Sequence, residues 1–288
     1  MKKFISVILA AMFVLSLAAC GAKPAAPAAP AAPVTYVELK EDLGAEEYGV
    51  GFRKGDIAFG LEVQKQLDSM IADGKAAEIS NKWFGKDVAV ANAAFPRAIE
   101  EVEGDTSLEY ILDKGELILG LDETFPPMGY RDANGDIVGF DIDLATEVCA
   151  RLGIKLKLQP IDWNAKEMEL STKSIDCIWN GMSITDERVE NMNISKPYIA
   201  NRQVVVTAND SGIATKADLN GKKVATQAGS AALDAINAEA EAAGNAEAFG
   251  KVTEYASFDD AWLDLKAGTV DALVIDEVYI RYVMENDK

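Results

Sequence analysis

Apolar and polar positions change period repeatedly along this chain, and the changes divide it into alternating elements. Leu61, Val63, Leu67, Met70 and Ile71 recur at helical spacing, so a helix is expected over 57–71, stopped by Gly74. A second helix is expected over 76–83, closed by Phe84-Gly85. The stretch 86–105 has no strong period and reads as a linker. Short apolar runs bounded by turn residues predict strands at 36–39, 48–52, 117–122, 155–159, 203–207, 223–226, 252–255 and 270–275, with another around Ile175. Helical periods over 141–152, 165–170, 231–242, 258–267 and 277–284, and from Asp186, separate most of them. Strands alternating with helices imply α/β architecture and parallel sheets. Asp132-Ala133-Asn134-Gly135-Asp136 is a hairpin turn.

One junction in this pattern carries chemistry. Ile175, Cys177, Ile178 and Trp179 form the apolar run, and Asn180-Gly181 breaks it. Thr185 is a good helix N-cap, with Asp186 and Glu187 suited to the positive end of the helix dipole. Free backbone N–H groups gather at such a junction, and Arg188 is close enough in sequence to reach back over them. Together they make an anion site suited to a planar carboxylate. The same residues allow a plainer arrangement, in which Arg188 pairs with Asp186 or Glu190 on a solvated face. The stretch 266–277 repeats the strand design and ends its strand in Asp276, and a third strand ends in Asp122. Ligands in open α/β sheets bind beyond the carboxyl ends of the strands. An anion cradle at one strand end and carboxylates at two others describe a site for a zwitterion.

Composition narrows the classes. The 288 residues favour one or two domains, and a hydrophobic fraction of 49% supplies a packed core. A formal charge of −19 and a pI near 4.4 argue against nucleic acid as a partner. There is no histidine, which excludes Ser-His-Asp and Cys-His chemistry and argues against a zinc site; no metal and no cofactor are expected. Lys2 and Lys3 precede an apolar run over 4–17, too short for a comfortable membrane span. It ends in Leu17-Ala18-Ala19-Cys20-Gly21, which resembles a bacterial lipobox, with Cys20 lipidated as the mature N-terminus. The alternative is an ordinary cleaved signal peptide. A lipid anchor implies an extracytoplasmic chain held on the outer face of the cell membrane, at the cell surface or in a periplasm. The Ala/Pro-rich run that follows favours an extended spacer. Cys149 and Cys177 lie among apolar neighbours; buried free thiols are the default, and the spacing leaves a disulfide open.

Several motifs in series carry a resemblance. Gly120-Leu121-Asp122-Glu123-Thr124-Phe125-Pro126-Pro127-Met128-Gly129-Tyr130, then Gly139-Phe140-Asp141-Ile142-Asp143-Leu144, then 180–188, are similar to the polar amino acid-binding proteins of bacterial ABC importers, the extracellular solute-binding protein family 3. Gln227-Ala228-Gly229-Ser230 and Ile275-Asp276-Glu277-Val278 continue the match. The resemblance implies a two-lobed, type II periplasmic-binding-protein-like α/β fold, each lobe a mostly parallel sheet flanked by helices. In such proteins a segment like 36–85 comes last, whereas here it comes first, so the order is that of a circular permutation, with 86–105 joining the family's usual ends. A truncated tandem or a gene-assembly artefact is the duller explanation. The implied organisation is a signal peptide over 1–19, lipidated Cys20 and spacer over 20–34, lobe 1 over 49–200, and lobe 2 over 35–47 plus 202–288. The crossings between lobes fall near 47–49 and 200–202.

The resemblance also implies a ligand between the lobes. Arg188 would hold the α-carboxylate, helped by Ser183 and the backbone near Gly181, next to Met182, while Trp179 and Asn180 would flank the pocket and read the ligand's polar tip. Gln227, Gly229, Ser230 and Ala231 would meet the same carboxylate from lobe 2. Asp276 would accept the α-ammonium, cap the helix at Glu277, or do both. Phe125 and Trp163 would sandwich the side chain, or serve as core. Asp122 and Glu123 add negative charge near the ligand's tip, and Glu167 either adds more or lies on a solvated helix face. Extra acid favours a basic side chain, although family members that bind neutral polar amino acids carry an acid like Asp122. The expected function is capture of an extracellular polar or basic L-amino acid, by a monomer, and its delivery to an ABC permease, without enzymatic chemistry. The alternatives are a dehydratase resembling cyclohexadienyl dehydratase, with Glu277 as its acid, and a component of an amino acid-sensing receptor.

Overall fold

The computed structural model describes residues 34–99 and 102–286. The lipobox, Cys20 and the Ala/Pro spacer lie outside them. In chain order the strands are β1 (Tyr36–Glu38), β2 (Ala45–Tyr48), β3 (Gly51–Arg53), β4 (Glu116–Leu121), β5 (Thr124–Phe125), β6 (Gly129–Arg131), β7 (Ile137–Val138), β8 (Lys155–Pro160), β9 (Cys177–Ile178), β10 (Met192–Ile194), β11 (Ile199–Ala208), β12 (Lys223–Gln227), β13 (Lys251–Tyr255) and β14 (Ala272–Asp276). The helices are α1 (Ile57–Ala72), α2 (Lys75–Phe84), α3 (Ser107–Lys114), α4 (Phe140–Leu152), α5 (Lys166–Ser171), α6 (Asp186–Asn191), α7 (Ala231–Ala242), α8 (Phe258–Lys266) and α9 (Glu277–Asn286).

Two mixed sheets anchor the chain, one ordered β10-β3-β9-β4-β8 and the other β1-β11-β14-β12-β13. Parallel pairing is confined to β4 with β8 and β9, and β12 with β13 and β14. The remaining pairs are antiparallel, so each sheet is less parallel than strand–helix alternation suggests. The cause is non-local. β11 is ten residues long and serves three partners: Ile199–Arg202 pair with β2, Gln203–Thr207 with β14, and Val206–Ala208 with β1. β2 continues through Gly49-Val50 into β3, which belongs to the first sheet. The antiparallel ribbon of β2 and β11 therefore joins the two sheets.

Other differences from the sequence pattern have local reasons. The run 48–52 is two strands, because the chain changes sheet at Gly49-Val50. Helix α3 went unanticipated; it is short, and within it only Ile111 is buried, so its apolar stripe is weak. The helix from Asp186 ends after six residues, and the chain turns into β10. Cys149 and Cys177 are free, buried thiols, which closes the disulfide option. Asp176, on the same stretch as the β9 strand, is buried and bonded by Lys114 at 2.5 Å and by the Ile118 N–H at 2.8 Å. That ion pair ties α3 to the end of the strand that feeds the site. Among the described residues no helix is long and apolar enough to cross a membrane.

Candidate functional site

The loop leaving β9 forms one wall of the cleft between the sheets. Thr185 caps α6, its side chain accepting from the Arg188 N–H at 3.3 Å. The short helix turns Arg188 inward, where it is 4% exposed. Its Nη1 donates to the Ser183 carbonyl at 2.9 Å, and its Nη2 reaches across the cleft to the Gly229 carbonyl at 3.2 Å. Arg188 makes no pair with Asp186 or Glu190 in the structure, so the solvated-face arrangement is not the one adopted. Burial pulls the guanidinium's pKa down, and the charges of Asp234 and Glu46 oppose that pull. The hinge strand zips the loop in place: Gly49 N–H donates to the Met182 carbonyl, and Ile184 N–H to the Glu47 carbonyl.

Two details change the expected roles in this loop. The Gly181 N–H does not face the cleft; it donates to Asp141 Oδ2 at 2.8 Å, beneath the loop. Burial pushes that carboxyl up to about 7, against the hydrogen bonds from Gly181 and Tyr198. Gly181 itself has φ +60, and a Cβ there would stand 2.6 Å from the Phe125 ring, so only glycine fits. The Ser183 hydroxyl donates to Glu46 at 2.8 Å, leaving only its lone pairs for a ligand. Gly229 and Met182 do not line the cavity, unlike the other expected wall residues, and Met182 departs furthest. Its side chain is fully buried in the apolar cluster with Trp163, Leu170 and Ile178, and its carbonyl is taken by Gly49.

Lobe 2 contributes the start of α7. Ser230 is its N-cap, accepting from the Leu233 N–H at 3.3 Å and donating to the Gln227 carbonyl at 2.7 Å. Ala231, the first residue of α7, lines the cavity, and a first-turn N–H has no acceptor within its own helix. Gly229, at φ +65, presents its carbonyl to Arg188 and to the Lys166 ammonium, the latter at 2.9 Å.

The acidic pole lies where β14 meets the ribbon. Asp276 is 4% exposed, and its Oδ1 accepts from Tyr48 at 2.6 Å, Asn201 at 2.7 Å and Gln203 at 3.0 Å. Burial and then the charge of Glu46 push its carboxyl well above the usual carboxylate range. Glu46, Tyr48, Asn201 and Gln203 were not singled out from the sequence. On β11 Gln203 lies between half-buried Arg202 and buried Val204, and nothing local separates the four from ordinary strand residues.

These groups surround a small cavity whose room for a water-sized sphere is about 10 Å³, so the cleft is closed around them. Asp122, Phe125, Trp163, Asn180, Gly181, Ser183 and Arg188 line it from the side of the β10-β3-β9-β4-β8 sheet, and Gln227, Ser230, Ala231 and Asp276 from the side of the other. Phe258, the first residue of α8, completes the lining and was anticipated only as a helix start. Its ring lies 6.0 Å from that of Phe125. Asp122 accepts from Thr124 in its own lobe and from Gln227 across the cleft. Glu123 turns outward instead, to a 2.6 Å pair with Arg131. Glu167 lies outside the cavity, on an outer face of α5 near Arg53 and Lys54. Trp179 is buried against Tyr198, facing the core. Among the described residues no group of three or more Cys, Asp or Glu side chains is placed to hold a metal ion.

Comparison with known proteins places this architecture. Residues 117–252 match the model of the bacterial extracellular solute-binding proteins, family 3. The L-cystine-binding protein TcyJ of Escherichia coli (strain K12) is 30% identical over 206 residues, 71% of this chain and 74% of that protein. An ABC uptake transporter substrate-binding protein from Streptococcus pneumoniae, solved with bound histidine, is 41% identical with a TM-score of 0.58, over 65% of this chain and 75% of its own. The ancestral amino acid-binding protein AncCDT-1, a precursor of cyclohexadienyl dehydratase, is 30% identical with a TM-score of 0.57, over 63% of this chain and 78% of its own. The chain has the type II periplasmic-binding-protein fold of these structures, and it belongs to the bacterial extracellular solute-binding proteins, family 3.

Proposed function

We propose that this protein captures a free polar L-amino acid in the cleft, closes over it and delivers it to the membrane subunits of an ABC importer. One observation carries the reading: a buried guanidinium, Arg188, and a buried carboxyl, Asp276, line the same small cavity. Arg188 and the Ala231 N–H would take the α-carboxylate, Asp276 the α-ammonium, and Phe125, Trp163 and Phe258 the side chain. Asp122 favours a basic side chain, in keeping with its single negative charge at the far wall. The relatives' ligands, histidine and cystine, are polar amino acids.

A dehydratase reading has less support. Glu277 is paired with Arg202 and Arg281 on the outside of the ribbon, away from the cavity lining. We therefore read the chain as a binding protein and not an enzyme, and turnover of prephenate would overturn that. A receptor-component role would use the same capture step.

The permuted order is part of this reading. Support comes from the family match, which begins at 117, and from β1, β2 and β3, which precede it and supply strands to both sheets. The lobes would be 49–200 and 35–47 plus 202–288, anchored through lipid at Cys20. Peptide mapping of the native protein across 85–107 tests the permutation, because an assembly artefact yields no spanning peptide. A thermal-shift screen against the twenty L-amino acids, cystine and ornithine tests the function. A captured ligand raises the melting temperature by mass action, and no rise with any of them would refute the reading.

A further inference from the structure

We propose that Glu46, on the hinge strand, is a positioning residue that shares a proton with Asp276, so that capture of an α-ammonium group expels that proton to solvent. The inference rests on the zwitterion reading of the cleft and adds a linkage to it.

The geometry is a pair of acids bridged by two amides. Asn201 Nδ2 donates to Glu46 Oε1 at 2.6 Å and to Asp276 Oδ1 at 2.7 Å. Gln203 Nε2 donates to the same two oxygens at 2.9 and 3.0 Å. Each oxygen takes one further donor: Ser183 Oγ for Glu46, from lobe 1, and Tyr48 Oη for Asp276, from the ribbon. The two carboxyl groups lie close enough to share the same two amide donors, and the charge of Glu46 adds to the cost of ionising Asp276. Six donor contacts thus fix two acids against one another at the point where lobe 1, lobe 2 and the hinge meet. Asp276 lines the cavity, whereas Glu46 stands behind Asp276 and Ser183 and acts through them.

The charged surroundings leave the pair without a counter-ion of its own. On β2 the neighbour is Tyr48, which burial and Asp276 keep protonated. From α6 Arg188 faces both acids, but its guanidinium is held by the Ser183 and Gly229 carbonyls and by the charge of Asp234 on α7 and Glu167 on α5. Arg202, the other nearby cation, bonds Glu38, Asp42 and Glu277. Two like charges in a buried site cannot both ionise cheaply, so one proton stays. An arriving ammonium supplies the missing positive charge. Asp276 then ionises, its proton passes to solvent, and the ammonium sits against the Asp276 carboxylate, with Glu46 behind it. Acidification opposes capture, because protons and ammonium compete for the same pair; above the pKa of Asp276 the release ceases.

The test is titration calorimetry of the full chain near pH 7, in phosphate and in Tris, with whichever of the twenty L-amino acids or L-cystine raises its melting temperature most. The expected result is an apparent heat that differs between buffers by close to one proton released per ligand, and affinity that falls up to about tenfold per unit of acidification. Glu46→Gln should still bind but lose both dependences, and Glu46→Asp should restore them. Wild-type binding with no buffer dependence between pH 5 and 8, or an unchanged dependence in Glu46→Gln, overturns the inference alone. Failure of every ligand to bind the wild type overturns the zwitterion reading beneath it.

Discussion

Gln227 donates its side-chain amide to Asp122 at 2.7 Å, from lobe 2 to lobe 1 across the cleft. The same nitrogen donates to the Ala256 carbonyl at 2.9 Å, so the amide is oriented by its own lobe before it meets the acid. Asp122 is likewise pre-set by the Thr124 N–H and hydroxyl on its other oxygen. The contact exists only when the sheets are close together. It belongs to closure, and it consumes part of the hydrogen-bonding capacity of the acid facing the ligand's side chain.

Gln227→Ala should therefore weaken capture without unfolding either lobe. A hydrogen bond to a charged group is worth about 1.5–3 kcal/mol, or roughly ten- to a hundredfold in Kd. Calorimetry should show that loss for the ligand found by thermal shift, while the ligand-free melting temperature stays within a few degrees. An unchanged Kd would mean that the amide contributes nothing to closure.

Gly229→Ala attacks the same step from the backbone. Gly229 has φ +65, and a Cβ there would lie 2.7 Å from Asn164 Oδ1 and 3.1 Å from its Cα, both in the opposite lobe. The variant strains the turn and props the cleft open. Small-angle scattering should show a ligand-induced contraction in the wild type that is absent or much reduced in the variant. Equal contraction in both would show that Asn164 yields.

The parts of the site that a sequence displays are those built from consecutive residues. Thr185 and Arg188 lie three apart, so the cap and the inward-turned guanidinium can be read together. Asp122 and Asp276 each end an apolar run, which marks them as strand ends over the cleft. The resemblance points to the hinge's position, near 47–49 and 200–202, but its cluster of polar side chains escapes such reading. Glu46, Tyr48, Asn201 and Gln203 are brought together by antiparallel pairing of residues some 155 positions apart in sequence, as in the Glu46 to Asn201 bond. The same long-range pairing makes the sheets mixed, which strand–helix alternation cannot foresee. Local chemistry also misleads at Gly181, because the amide that looks free at a strand–helix junction is taken by Asp141, forty residues away.

Arg188→Ala and Asp276→Ala should each abolish measurable capture. Both side chains are buried, and either deletion leaves the opposite end of a zwitterion desolvated without its partner, at about 3–5 kcal/mol. That is a loss of about two to four orders of magnitude in affinity. Arg188→Lys should recover part of it, since the charge returns without the planar fork. Calorimetry on the folded variants checks this, and wild-type affinity in both alanine variants would remove the assigned poles.

Lys166 gives the last prediction, in the alkaline range. Its ammonium is buried against the Trp163 ring and donates to the Gly229 carbonyl across the cleft. Burial first, and then the charge of Arg188, lower its pKa from 10.5 to about 8. The folded protein thus sheds this proton before the unfolded chain does. Below pH 8 both states are protonated and the folded one bears the cost of a buried charge. Between pH 8 and 10.5 the unfolded chain holds the extra proton, so this group's contribution to stability rises with pH, by up to about 3 kcal/mol. Lys166→Met has no such window. The wild type should gain stability relative to the variant between pH 7.5 and 9.5 in parallel thermal melts; a constant gap would mean that the ammonium is solvated and its cross-cleft bond is not formed in solution.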